Sequence, residues 1–145
     1  IPVDVRFLEL MPIGEGKEGE TISNTTLFQK IKEIYPDIKP DERKHGNGPA
    51  IYYKIPGFEG SIGFISAIHG VFCDSCNRLR MTSTGELKPC LCYDETISVR
   101  DVARCGDSEK IRENIKHAIQ IKPKKHCFSG IEKVSEKKKM AQIGG

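Results

Sequence analysis

The chain has 145 residues, 37% of them hydrophobic and 30% charged, a balance that fits one folded domain with a modest core and excludes a disordered chain. Its formal net charge of +3 is too small to imply a nucleic-acid partner for the whole chain. No apolar run approaches the about 20 residues that span a bilayer, and no signal-peptide pattern opens the sequence.

Residues 1–11, IPVDVRFLELM, begin with Val3, Val5 and Phe7 in alternation, and Leu8, Leu10 and Met11 then add apolar side chains on the other face. That pattern predicts a strand buried on both sides, as in a parallel sheet. Pro12 and the glycines at 14, 16 and 19 end it in a loop. Ser23 or Asn24 predicts the cap of a helix reaching about Tyr35, with Leu27, Ile31 and Ile34 on one face and Pro36 as its stop. The polar segment 39–50 contains Gly46-Asn47-Gly48-Pro49 and predicts a loop and an internal boundary.

Residues 51–55 and 61–68 predict two strands around Pro56-Gly57. RLRMT and ELKPC predict a hairpin through Thr84-Gly85. Ser98-x-x-Asp101 predicts a capping box for a short helix that Gly106 ends. Asp107 or Ser108 opens a second helix, with Ile111, Ile115 and Ala118 or Ile119 on one stripe, and Pro123 closes it. Residues 119–145 carry seven lysines against two acidic residues, which predicts a solvated basic tail, weakly structured after Gly130. The fold class predicted is α+β.

The stretch FCDSCNRLRMTSTGELKPCLC, residues 72–92, holds Cys73, Cys76, Cys90 and Cys92. The first three are spaced C-x2-C-x13-C, and the predicted hairpin returns Cys90 towards the pair. Thiolates suit zinc or an iron–sulfur cluster. With Cys92 as a fourth ligand the set would make a zinc ribbon, a binding module for nucleic acid or protein. Three cysteines alone would hold a cubane whose fourth iron stays open. Cys105 and Cys127 have no role in either scheme. Arg78 and Arg80 are two apart on a predicted strand and leave from one face. Paired guanidiniums suit phosphate oxygens, and they equally suit a protected edge strand.

At FCDSCNRLRMTSTGELKPCL the chain resembles the C-terminal portion of the GTP 3′,8-cyclase family, radical-SAM lyases of molybdenum cofactor biosynthesis. VRFLELMPIG (5–14), GSIGFIS (60–66), the helical stretch 99–120 and the closing MAQIGG (140–145) agree with that resemblance. It implies residues 1–45 as a strand and helix of an incomplete (β/α) barrel. It implies residues 46–128 as an antiparallel-sheet and helix domain for a [4Fe–4S] cluster and GTP. Residues 129–145 become a flexible basic tail ending in Gly-Gly.

The resemblance also implies roles. Cys73, Cys76 and Cys90 would hold the cluster, with its open iron towards GTP. Arg78, Leu79 and Arg80 match the segment that contacts GTP. Arg6 matches a catalytic arginine near the substrate, Met11 a residue contacting S-adenosylmethionine, and Gly144-Gly145 a terminus that threads towards the active site. In the family, GTP becomes (8S)-3′,8-cyclo-7,8-dihydroguanosine 5′-triphosphate, which passes to a cyclic pyranopterin monophosphate synthase. A cytoplasmic homodimer with no membrane or nucleic-acid partner is implied at full length.

The sequence departs from the family at Thr84, where Asp is usual, at Cys92, where an aromatic residue is usual, and in the approach 66–73, where His69 is an ordinary loop histidine. No cysteine pair is spaced C-x3-C, so the motif for the cluster that cleaves S-adenosylmethionine is missing. Together with the first residue, Ile1, this predicts a C-terminal fragment or a split-gene product, inactive without the remaining barrel.

Overall fold

The computed structural model describes residues 2–17, 19–70, 72–128, 130 and 134–143. The chain is α+β, as predicted, and gathers into two compact units, Ile1–Met11 with Gly19–Ser75 and Pro12–Glu18 with Cys76–Gly145.

The first unit is a mixed four-stranded sheet with one long helix. Its strands are β1 (Val5–Leu8), β2 (Lys39–Pro40), β3 (Ile51–Lys54) and β4 (Ile62–Ile65), in the order β1-β4-β3-β2. β1 runs parallel to β4, with Val5 opposite Ile62 and Leu8 opposite Ile65, while the other two pairings are antiparallel. Helix α1 (Asn24–Ile34) starts where the sequence predicts: the Ser23 hydroxyl accepts a hydrogen bond from the Thr26 N–H. Its Phe28 meets Tyr53 and Phe64 on the sheet, and Phe7 stacks on Phe64. Alternation along each strand therefore gives one aromatic face against α1.

The predicted burial of the first strand on both sides is not observed. Val3, Val5, Leu8 and Leu10 are 55%, 48%, 54% and 43% exposed. Burial on two sides needs a neighbouring strand along each edge, and β1 is the edge of its sheet, with β4 along one side.

The second unit carries an antiparallel sheet of β5 (Arg80–Met81), β6 (Glu86–Lys88) and β7 (Ile97–Ser98), in that order. The β5–β6 turn is the predicted one. Gly85 adopts φ +78°, and a Cβ there would come within 2.8 Å of the Arg100 Cβ, so both conformation and space require glycine. Helices α2 (Arg100–Arg104) and α3 (Ser108–Gln120) pack on each other, and α3 covers β6 and β7. Leu87, Val99 and Ala118 form the core, joined by Leu79 and Ile97.

The α3 cap is as predicted, since Asp107 accepts from the Lys110 N–H. The Ser98 capping box is not observed. Val99 is the α2 cap and makes no side-chain bond, because Ser98 is held in β7 and its carbonyl accepts from Asn114 Nδ2. Along α3, Ala118 is fully buried while Ile115 and Ile119 are 38% and 56% exposed, so the buried stripe is narrower than predicted.

Residues 134–143 differ from the weakly structured tail of the sequence reading. Val134, Glu136 and Ile143 are buried, and Ser135 exchanges hydrogen bonds with Asp94. Three spaced anchors dock a segment whose lysines, 137–139, all stay exposed. Gly144 and Gly145 lie outside the described residues. Among the described residues no helix is long and apolar enough to cross a membrane.

Candidate metal and anion site

Cys76 and Cys90 both belong to the second unit, are half-buried and carry free thiols. Arg78 follows Cys76 and is exposed, while Arg80 opens β5 and is half-buried. Leu79 between them packs against the core, just before β5 begins at Arg80.

The two strand ends that carry Arg78 and Cys90 are clipped together. Lys122 Nζ donates to the Arg78 carbonyl and to the Pro89 carbonyl, each at 2.9 Å. Lys88 is directly opposite Arg80 in the β5–β6 register, so two cations leave one face of the hairpin. They find different partners. Lys88 is buried, donates to the Tyr93 carbonyl at 2.6 Å and pairs with the carboxylate of Glu136. Burial pushes the Glu136 carboxyl up, but the bonds from Lys88 and from the Lys138 N–H pull it below its ordinary value.

Among the described residues no ion pair is formed by Arg80. Its Nε is buried and makes no hydrogen bond among the described residues. A buried donor without an acceptor is unfavourable, and an oxygen of a bound anion satisfies it. Two free soft thiols in the same unit as an arginine in that state are groups whose chemistry suits an iron–sulfur cluster and an anionic ligand.

Cys73, the remaining ligand candidate, is half-buried on a 3-10 turn, Cys73–Ser75, at the end of the first unit. Among the described residues no group of three or more His, Cys, Asp or Glu side chains is already gathered as a metal site.

Also in the first unit, Arg6 on β1 is exposed and its Nε donates to the Tyr52 hydroxyl. Met11 is half-buried just beyond that strand. Glu9, which carries no local sequence signal, is 4% exposed. Its carboxylate accepts the backbone N–H groups of Asn24, Ile68 and His69, and the His69 ring at 3.0 Å. Burial alone would raise its pKa, and those N–H groups hold it below the ordinary value. His69 is thereby a loop histidine bound to a carboxylate.

Cys92 is corrected. It is disulfide-bonded to Cys127 and its sulfur accepts the Cys127 N–H. That bond removes the fourth thiolate on which the zinc-ribbon alternative depends. Cys105 is an exposed free thiol after α2. Neither the disulfide partner nor Glu136 carries a local sequence signal, since each lies tens of residues from the group it meets.

The chain matches the family described as Molybdenum Cofactor Synthesis C over residues 3–128. It is similar to the GTP 3′,8-cyclase of Clostridium perfringens (strain 13 / Type A), 46% identical over 145 residues, covering 99% of this chain and 45% of that protein. The GTP 3′,8-cyclase of Alkaliphilus metalliredigens is 40% identical over 147 residues, with 99% and 44% covered. That of Petrotoga mobilis is 38% identical over 143 residues, with 97% and 44% covered. The chain thus spans less than half the length of these relatives.

Proposed function

This chain belongs to the Molybdenum Cofactor Synthesis C family, and on that premise we propose that it is the substrate-holding C-terminal part of a GTP 3′,8-cyclase. Cys73, Cys76 and Cys90 are the thiolates that would hold a [4Fe–4S] cluster, which would supply an open iron as a Lewis-acidic contact for the guanine base. The chain's own residues do the rest. Arg78 and Arg80 bind the anionic nucleotide by charge-assisted hydrogen bonds, with Leu79 in the same segment. Lys122 keeps the two strand ends from separating. By the family resemblance, Arg6 and Met11 are assigned to GTP and S-adenosylmethionine respectively, and Gly144-Gly145 to the substrate end of the parent enzyme.

The observation that carries this reading is the buried Nε of Arg80, without an acceptor among the described residues, in the same unit as two free thiols. The exposed β1 edge, paired in parallel to β4, supports the first unit as a piece of an incomplete (β/α) barrel that continues in the remaining length of the relatives. The parent reaction is cyclisation of GTP with S-adenosylmethionine and a second cluster, in a cytoplasmic homodimer that delivers its product to a cyclic pyranopterin monophosphate synthase. These 145 residues carry no C-x3-C-x2-C, and alone they generate no radical.

Anaerobic reconstitution with iron and sulfide tests the reading. About four irons per chain, with an EPR signal that changes on adding GTP, is the expected result. A colourless protein that takes up one zinc and ignores GTP would overturn it.

A further inference from the structure

We propose that Tyr52 is a positioning residue for Arg6, and that Gly63 and His45 fix the ring through which it acts. The inference rests on the reading of Arg6 as a residue beside the substrate.

Arg6, Gly63 and Tyr52 are consecutive partners across β1, β4 and β3, so they share the face of the sheet opposite the aromatic one. Arg6 and Tyr52 begin two strands apart, about 9–10 Å. The tyrosine spans that gap by lying across Gly63. A Cβ at position 63 would meet the ring carbons Cε1, Cδ1 and Cζ at 2.8, 3.1 and 3.2 Å. No side chain larger than hydrogen leaves the ring its path.

The ring's hydroxyl accepts a hydrogen bond from Arg6 Nε, and the guanidinium carbon is 5.6 Å from the ring centroid. Holding an arginine by Nε fixes the plane of its fork and leaves both terminal nitrogens for a planar or tetrahedral oxyanion. No carboxylate among the described residues pairs with Arg6, so its charge is open to a ligand.

The ring is held from behind as well. His45 stacks on it at 3.9 Å between centroids, with planes 11° apart. His45 is itself pinned, Nδ1 to Asp4 at 2.9 Å and Nε2 to Asp41 at 3.0 Å. Asp41 is gripped by Arg43 at 2.7 Å and by the Ser61 hydroxyl, and Ser61 donates its N–H to Asp4. The bonds from Arg43, then Ser61, hold the Asp41 carboxyl well below the usual carboxylate range. A stack backed by two anchored aspartates restricts the tyrosine to one orientation, and the tyrosine restricts the arginine.

A double-mutant cycle on the reconstituted chain tests this, with GTP as the probe and the EPR change as the readout. Tyr52→Phe is expected to raise the half-saturating GTP concentration about tenfold, which is about 1.4 kcal/mol. Gly63→Ala, which keeps the hydroxyl and displaces the ring, is expected to do the same. In an Arg6→Ala chain neither change should have a further effect. Equal losses in both backgrounds, or none in either, would overturn the proposal. If the wild-type chain takes up no cluster or ignores GTP, the reading of the site fails instead. The Arg6 Nε–H resonance then decides the positioning without nucleotide: slow hydrogen exchange in the wild type and at least tenfold faster exchange in Tyr52→Phe supports it, and unchanged exchange refutes it.

Discussion

The carboxylate of Glu136 and the ammonium of Lys88 meet inside the second unit, with side chains 2% and 0% exposed. The pair docks residues 134–143 onto strand β6, two residues before Cys90. Removing one charge strands the other, which typically costs about 3–5 kcal/mol for a buried pair. Glu136→Gln is therefore expected to lower the unfolding free energy by about that amount. Replacing both partners, with Lys88→Met and Glu136→Leu, is expected to recover most of it, because no unpaired charge remains. Urea denaturation of the three chains decides it; equal stability in wild type and Glu136→Gln would refute the role of the pair.

Glu9 and Glu136 both titrate below their ordinary value of 4.5, against burial, which pushes them up. A carboxyl depressed in the folded state contributes stability that is fully present above its unfolded pKa. That contribution is lost as pH falls through the lower folded value. The urea midpoint is thus expected to hold from neutrality to just above pH 4.5 and to drop below it. In Glu9→Gln the acid limb should be shallower, since one of the depressed carboxyls is gone. An acid limb of unchanged slope would show that Glu9 is not linked to folding.

Gly85 joins β5 to β6 with φ +78° and has the Arg100 side chain against it. Gly85→Ala is expected to destabilise by about 1–3 kcal/mol through backbone strain alone, with the Arg100 contact adding to it. The hairpin carries Arg80 on one arm and precedes Cys90 on the other, so iron uptake should fall together with stability. Thermal unfolding and iron analysis of the same sample check both.

Cys90 and Arg80 separate the two halves of the proposed site. Cys90→Ala is expected to abolish uptake of the about four irons of a cubane. Arg80→Ala is expected to keep the iron and lose the GTP-induced EPR change, because it removes an anion donor and no thiolate. Loss of iron in both variants would make Arg80 a structural residue.

The sequence by itself determined what is set within a few residues. The Ser23 and Asp107 caps, the Gly85 turn and the strand–loop–strand around Pro56-Gly57 all appear where their local chemistry predicts. A cap needs one oxygen three residues from an amide, and a turn needs one residue free to take positive φ. The family was legible too, because the cysteine spacing and the segments around it run contiguously in the chain.

The tertiary structure alone decided the rest. Cys92 meets Cys127 over 35 residues, His45 meets Asp4 over 41 and Lys88 meets Glu136 over 48. None of these pairings follows a helical or strand period, so no local pattern announces them. The exposure of β1 has the same origin. Its apolar residues are compatible with a two-sided strand, but burial is a property of the neighbours, and β1 has β4 along one edge. Even the Ser98 cap failed for this reason: the sheet claimed Ser98 through a pairing to Glu86, and a long-range ladder outcompeted a local hydrogen bond.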